Sequence, residues 1–160
     1  MINVVLRACA LVFCLVALAA CEQAATASGV RQVVSTTSFG MCVGYCSTRL
    51  EISEEQAVLV RSSRGGRGAQ ELPEQRFTQT LTPAEWGEIA RLAEAAKLDG
   101  LPPVIGCPDC ADGGAESLTI VKASGEKTIS FEHGAAIEQA QPLLERVRAI
   151  RTALMPKEPG

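Results

Sequence analysis

Thr82-Pro83-Ala84-Glu85-Trp86, continuing through Ile89, Ala90, Ala93 and Ala96 to Asp99-Gly100-Leu101-Pro102-Pro103, is the stretch on which the fold turns. Thr82 carries a hydroxyl that can accept from the free amides of a helix start. Pro83 suits the first helical position because its missing N–H would have no partner there. Glu85, three residues after the cap, can reach back to the amide of Thr82 and close a capping box. Trp86, Ile89, Ala90, Ala93 and Ala96 then recur at helical spacing, and Asp99-Gly100 followed by two prolines ends the run. The chain therefore holds a well-specified helix with strand-rich sequence on either side.

Upstream, Val30 to Ser38 is rich in β-branched residues and predicts a first strand. Gly40-Met41-Cys42-Val43-Gly44-Tyr45-Cys46 interrupts it with two glycines. Thr48, Leu50 and Ile52 alternate with Arg49, Glu51 and Ser53, the pattern of a half-buried strand. The polar turn Glu54-Glu55-Gln56 leads into Ala57 to Arg61, which predicts a hairpin. Arg61-Ser62-Ser63-Arg64-Gly65-Gly66-Arg67-Gly68 is a loop by composition. Downstream, Glu116 to Val121 and Lys127 to Phe131 are strands around the turn Ala123-Ser124-Gly125-Glu126. Pro142 opens a second helix with Leu143, Val147, Ile150 and Leu154 on one face, Arg146, Arg148 and Arg151 largely off that stripe, and Pro156 at its end. The expected order is β-β-β-α-β-β-α. This is a single small α+β domain: an antiparallel sheet of two hairpins plus an N-terminal strand, with two helices on one face.

The first residues have another character. Arg7 precedes an apolar run from Ala8 to Ala17, which ends in Leu18-Ala19-Ala20-Cys21. Charged start, apolar run and small-residue site are the parts of a secretory signal. The run is shorter than a bilayer-spanning helix requires. Leu-Ala-Ala-Cys resembles the lipobox of bacterial lipoproteins. That resemblance implies a diacylglyceryl group on the Cys21 thiol, removal of residues 1–20 and acylation of the new amino terminus, with more than one chain making the anchor stable. Glu22 stands where an Asp would favour inner-membrane retention, so the resemblance points to the outer membrane, facing the periplasm. The expected organisation is a signal peptide over 1–20, a lipidated Cys21 with a small polar tether over 21–29, and the domain over 30–155.

Removing residues 1–20 takes away one base and no acid, so the remainder is more acidic than the −3 of the whole chain. That balance argues against general nucleic-acid binding. Aromatic residues make up only 4% of the chain, so the core must rest on aliphatic packing and staples.

Of seven cysteines, Cys9 and Cys14 leave with the signal and Cys21 carries lipid, which leaves Cys42, Cys46, Cys107 and Cys110. An even set in an oxidising compartment reads as two disulfides. In a continuous strand Cys42 and Cys46 would stand about 13 Å apart, beyond the roughly 7 Å that a disulfide tolerates. Gly44 lets the chain turn and close that gap. A local bridge stabilises by about 2 kcal/mol and one from Cys42 to Cys107 by about 4 kcal/mol. Entropy does not select the connectivity, so local and crossed pairings both stay open.

Cys42-Val43-Gly44-Tyr45-Cys46 ahead of a hairpin resembles a group of bacterial lipoprotein domains of unknown function marked by Cys-x-Gly-x-Cys. In that group a Pro commonly follows the second Cys, a Tyr lies two further on and Asp-Gly makes the turn. Here the positions hold Ser47, Arg49 and Glu54-Glu55-Gln56. The order of elements is similar over most of residues 30–154, and the group carries no activity that could be transferred.

Three sharper chemistries compete with plain staples. Cys107-Pro108-Asp109-Cys110 resembles the Cys-Pro-x-Cys site of glutaredoxins and some periplasmic oxidoreductases, where a helix N-terminus activates the first thiol. Here Ala111-Asp112-Gly113-Gly114 follows, a turn rather than a helix start. All four cysteines together have ligand spacing that zinc could use. Asp109, Asp112 and Glu116 lack EF-hand spacing and read as solvated loop acids. His133 has no nucleophile elbow to serve and reads as a surface turn residue. Arg64 to Gly68 reads as a mobile loop, or as a contact for anionic lipid or cell-wall polymer. The expectation is a non-enzymatic module without cofactor or resident metal, with a protein or cell-wall partner in the envelope. Its alternatives are a thiol-disulfide oxidoreductase using Cys107 and Cys110, or a four-cysteine zinc module.

Overall fold

The computed structural model describes residues 29–63 and 71–156. The expected signal peptide, Cys21, most of the tether and the Arg64–Gly68 loop lie outside these residues. The described chain forms strands β1 (Val30–Ser38), β2 (Tyr45–Ile52), β3 (Gln56–Ser63) and β4 (Gln75–Thr80), then helix α1 (Pro83–Ala95). Strands β5 (Val104–Ile105), β6 (Ala115–Lys122) and β7 (Gly125–Glu132) and helix α2 (Gln141–Leu154) follow.

The α+β class holds, but the sheet is larger than expected. Its order is β4-β3-β2-β1-β6-β7-β5, seven strands in place of five. It is mixed rather than antiparallel, because β5 pairs with β7 in parallel. Both additional strands lie at edges. In Gln75-Arg76-Phe77-Thr78-Gln79-Thr80 only Phe77 is a large apolar residue, opposite Leu59 of β3. An edge strand with one face in water needs little more than that. β5 is two residues long, and the Pro102-Pro103 before it hid it from a pattern reading.

Alternation on the central strands builds the core. Val33 faces Ile52 on β2 and Ile120 on β6, while Ser35 faces Leu50 and Leu118. A bulge between Val30 and Gln32 returns Val30 to the same cluster. Ile89, Ala90 and Ala93 of α1 and Leu143, Leu144, Val147 and Ile150 of α2 bury against this face in one cluster. Trp86 packs at its margin. The capping box at Thr82 is formed: the Glu85 amide donates to Thr82 Oγ1 at 3.3 Å and the Thr82 amide donates to Glu85 Oε2 at 2.8 Å. The Thr82 amide, and the Thr82 hydroxyl donating to the same oxygen at 2.8 Å, hold the exposed Glu85 carboxyl below its ordinary pKa.

The other face of the sheet is rich in hydroxyls. Thr36 pairs with Ser117 at 2.6 Å and Thr119 with Thr128 at 2.8 Å. Because β1 is central and runs outward from Val30, the sheet has two ends. One holds Val30 and the β2–β3 and β6–β7 turns. The other holds the segments after β1, before β6 and after β7, and carries all four domain cysteines.

Candidate functional site

At the cysteine end the chain leaves β1 at Phe39 and returns to β2 through a loop bridged by Cys42 and Cys46, with Cα atoms 5.5 Å apart. Gly44 makes the return possible, with φ at 92°. The Phe39 amide donates to the Cys46 carbonyl at 3.0 Å and closes the base of the loop. Cys107 and Cys110 form the second bridge, also with a 5.5 Å Cα separation. Both pairings are therefore local, and neither crosses to the other loop.

The two stapled loops are docked on each other. The Gly40 amide donates to Asp109 Oδ1 at 3.2 Å. The Phe39 ring lies against Gly114, where an added Cβ would stand 2.4 Å from its Cε1. The same ring meets His133 edge-on, with centroids 4.9 Å apart. The Cys107 amide donates to Glu132 Oε1 at 3.1 Å. His133 is exposed and sits in a turn, as the sequence suggested.

This geometry bears on thiol chemistry. Asp109, Ala111 and Asp112 all have positive φ, near 62°, 52° and 58°. The chain after Cys107 thus enters a tight left-handed turn, and the helical turn it contains spans only Cys110–Asp112. Among the described residues no α-helix begins at Cys107, so its thiol does not sit at the N-terminus of one. The charged groups of this loop and its neighbour are the carboxylates of Asp109, Asp112 and Glu132, and nearby negative charge disfavours a thiolate. Among the described residues, no group of three or more His, Cys, Asp and Glu side chains could hold a metal ion.

A second polar cluster was missed by the sequence reading. Glu116 is not a solvated loop acid: its side chain is fully buried on the core face of β6. Arg148 donates to it through Nε at 3.1 Å and a second nitrogen at 2.8 Å. Arg151 donates at 3.1 Å and the Gly134 amide at 3.3 Å. Arg151 also donates to the buried Ser35 hydroxyl, and Arg148 to the Ala135 carbonyl at 2.8 Å.

Arg151 therefore belongs to the buried face of α2, together with Leu144 and Val147. The signal was present in both segments. Glu116 alternates with the core residues Leu118 and Ile120, and Leu144, Arg148 and Arg151 recur at helical spacing.

Burial alone would raise the Glu116 pKa, but the bonds and charges of the two arginines outweigh it and hold the carboxyl below its ordinary value. Burial lowers the pKa of Arg151, and Glu116 partly restores it. A carboxylate so fully occupied is a poor proton acceptor. Ser35 accepts from the same arginine that donates to Glu116.

No protein-family model matches the chain, and no curated protein does either. Two open clefts lie on the described surface. One of about 290 Å³ is lined by Leu98, Lys122 and Lys127 among others. The other, of about 410 Å³, lies between α1 and the start of α2 at Leu92, Ala96 and Leu143.

Proposed function

We propose that this chain is a bacterial envelope lipoprotein, anchored through lipid on Cys21, whose domain is a disulfide-stapled, non-catalytic binding or structural module. The observation that carries the reading is the pairing of all four domain cysteines in two short loops docked at one end of the sheet. Support for the address comes from the Leu18-Ala19-Ala20-Cys21 motif and the apolar run before it. An outer-membrane position facing the periplasm follows from Glu22 in the same scheme. The partner is another envelope protein or the cell wall, not nucleic acid. The resemblance to Cys-x-Gly-x-Cys lipoprotein domains fits this assignment. Among the described residues no helix is long and apolar enough to cross a membrane.

Two measurements test it. Cys21→Ser abolishes incorporation of a labelled fatty acid; a normally lipidated product from that variant refutes the anchor. The non-reduced intact mass of the envelope protein lies four hydrogens below the reduced mass. A fully reduced mass with one zinc retained would replace staples with a metal site.

A second reading, a thiol-disulfide oxidoreductase using Cys107 and Cys110, is favoured by the exposure of both residues, whereas Cys46 is buried. It requires that pair to open under mild reductant in native protein. Resistance of the pair until unfolding refutes it.

A further inference from the structure

Asp is followed by Gly twice in the chain, at Asp99-Gly100 and Asp112-Gly113. Such a pair can react with itself. The glycine amide nitrogen bonds to the side-chain carboxyl carbon of the Asp, and the carboxyl hydroxyl leaves with the amide proton as water. The cyclic imide that results then takes up one water. If the bond from that nitrogen to the main-chain carbonyl carbon breaks, the backbone continues through the side chain as isoaspartate. If the newly made bond breaks, Asp returns. The sum is an isomerisation that needs water alone. Glycine favours it because no Cβ blocks the close approach. The fold decides the rest, by whether the amide is free and whether the two residues can turn toward each other.

The two pairs differ in both respects. At the second, the Gly113 amide donates to the Cys110 carbonyl at 3.2 Å, directly after the Cys107–Cys110 bridge. The next residue, Gly114, is pressed against the Phe39 ring, and its carbonyl accepts from the Asp109 and His133 amides at 3.1 and 3.0 Å. Moving the Gly113 nitrogen onto the Asp112 carboxyl therefore breaks one bond and strains its neighbours. At the first pair, Asp99 and Gly100 are the exposed central residues of the turn that follows α1. The Leu101 amide closes that turn on the Leu98 carbonyl at 2.9 Å. Among the described residues the Gly100 amide has no acceptor, and a Cβ added at Gly100 would meet nothing within 4 Å.

We propose that Asp99 is a self-modification site, where the folded chain converts Asp to isoaspartate through attack by the Gly100 amide, and that Asp112 is protected from the same reaction by its stapled loop. The product carries one extra backbone atom between Leu98, which is buried, and Leu101, whose carbonyl accepts from Lys127 Nζ at 3.2 Å. The turn that stops α1 and leads toward β5 thus records the chemical age of each molecule. Neither the anchored reading nor the chemistry of the cysteines enters this inference.

The test incubates the full chain, purified with both bridges intact, at neutral pH and physiological temperature over several weeks. Peptide fragmentation that locates an extra backbone methylene reads positions 99 and 112 separately. Isoaspartate should accumulate at 99 about fivefold or more faster than at 112, the ratio supported by the one net hydrogen bond that Gly113 must give up. In the same chain, reduced and unfolded in guanidinium chloride, the two rates should come together. Gly100→Ala should slow the native reaction at 99 severalfold, since the methyl group hinders the attacking nitrogen. Equal native rates, a faster reaction at 112, no isoaspartate at 99 in the native chain, a preference for 99 that persists on unfolding, or insensitivity to Gly100→Ala would each overturn the proposal.

Discussion

Glu116→Gln should be among the most damaging single substitutions in the domain. It keeps the size of the side chain but removes the negative charge that Arg148 and Arg151 share, and its amide nitrogen turns a donor toward guanidinium donors. Arg151 is about one-tenth exposed and Glu116 not at all, so water cannot replace the lost partner. Breaking a buried pair in this way costs about 3–5 kcal/mol. With a urea slope of about 2 kcal/mol/M for a small domain, the denaturation midpoint of the oxidised protein should fall by about 2 M with the slope unchanged.

The same variant carries a pH signature. The Glu116 carboxyl sits below its ordinary pKa, so its stabilising contribution is fully present above the unfolded-state value of about 4.3. It is lost as pH falls through the lower folded value. The native protein should therefore lose stability on acidification more steeply than Glu116→Gln, which has no such proton to gain. A midpoint shift below about 0.5 M, or parallel acid limbs for the two proteins, would refute the account of the cluster.

Thr82→Ala should cost about 1 kcal/mol in the same assay, since it removes the cap of α1; coincident midpoints would mean the hydroxyl bond adds nothing. Gly114→Ala should cost about 1–3 kcal/mol, because it combines a left-handed backbone at φ 82° with a methyl driven into the Phe39 ring. Gly100→Ala, where an added Cβ meets nothing within 4 Å, is the matched control and should lack that cost. Replacing both Cys42 and Cys46 by Ala should lower stability by about 2 kcal/mol while far-UV circular dichroism stays native. A larger loss, with the sheet signal gone, would show that the bridge is required for folding itself.

The parts of the fold that were legible in the sequence are those whose cause is local. The capping box at Thr82 and Glu85 needs only four residues, and it formed as the spacing implied. Strands β1, β2, β6 and β7 carry their alternation or β-branched content within their own length. β4 was not legible because an edge strand is defined by its neighbour, and Gln75–Thr80 supplies a single large apolar side chain. The disulfide connectivity depended on how far Gly44 bends the chain, which two cysteine positions cannot fix. Glu116 and Arg151 were misread for a different reason. Each was judged by its charge, although each also fits the buried face of its own element, and their pairing joins residues 35 positions apart.

The central place of β1 governs how the chain can assemble. On one side β1, β2, β3 and β4 form a run of neighbours in sequence, which can zip together through short loop closures. On the other side β1 waits for β6: Thr36 and Ser117, bonded across that seam, are 81 residues apart. Closing so long a loop is the entropically slow step. Until it closes, the edge of β1 stays open, with Val33 and Val34 beside it, as a template on which another chain can add. The two bridges shorten neither delay, since each closes only a few residues on its own side of the seam. Joining the β6–β7 hairpin to β1 is thus the step at which folding and aggregation compete, and substitutions along that seam should change refolding yield more than they change final stability.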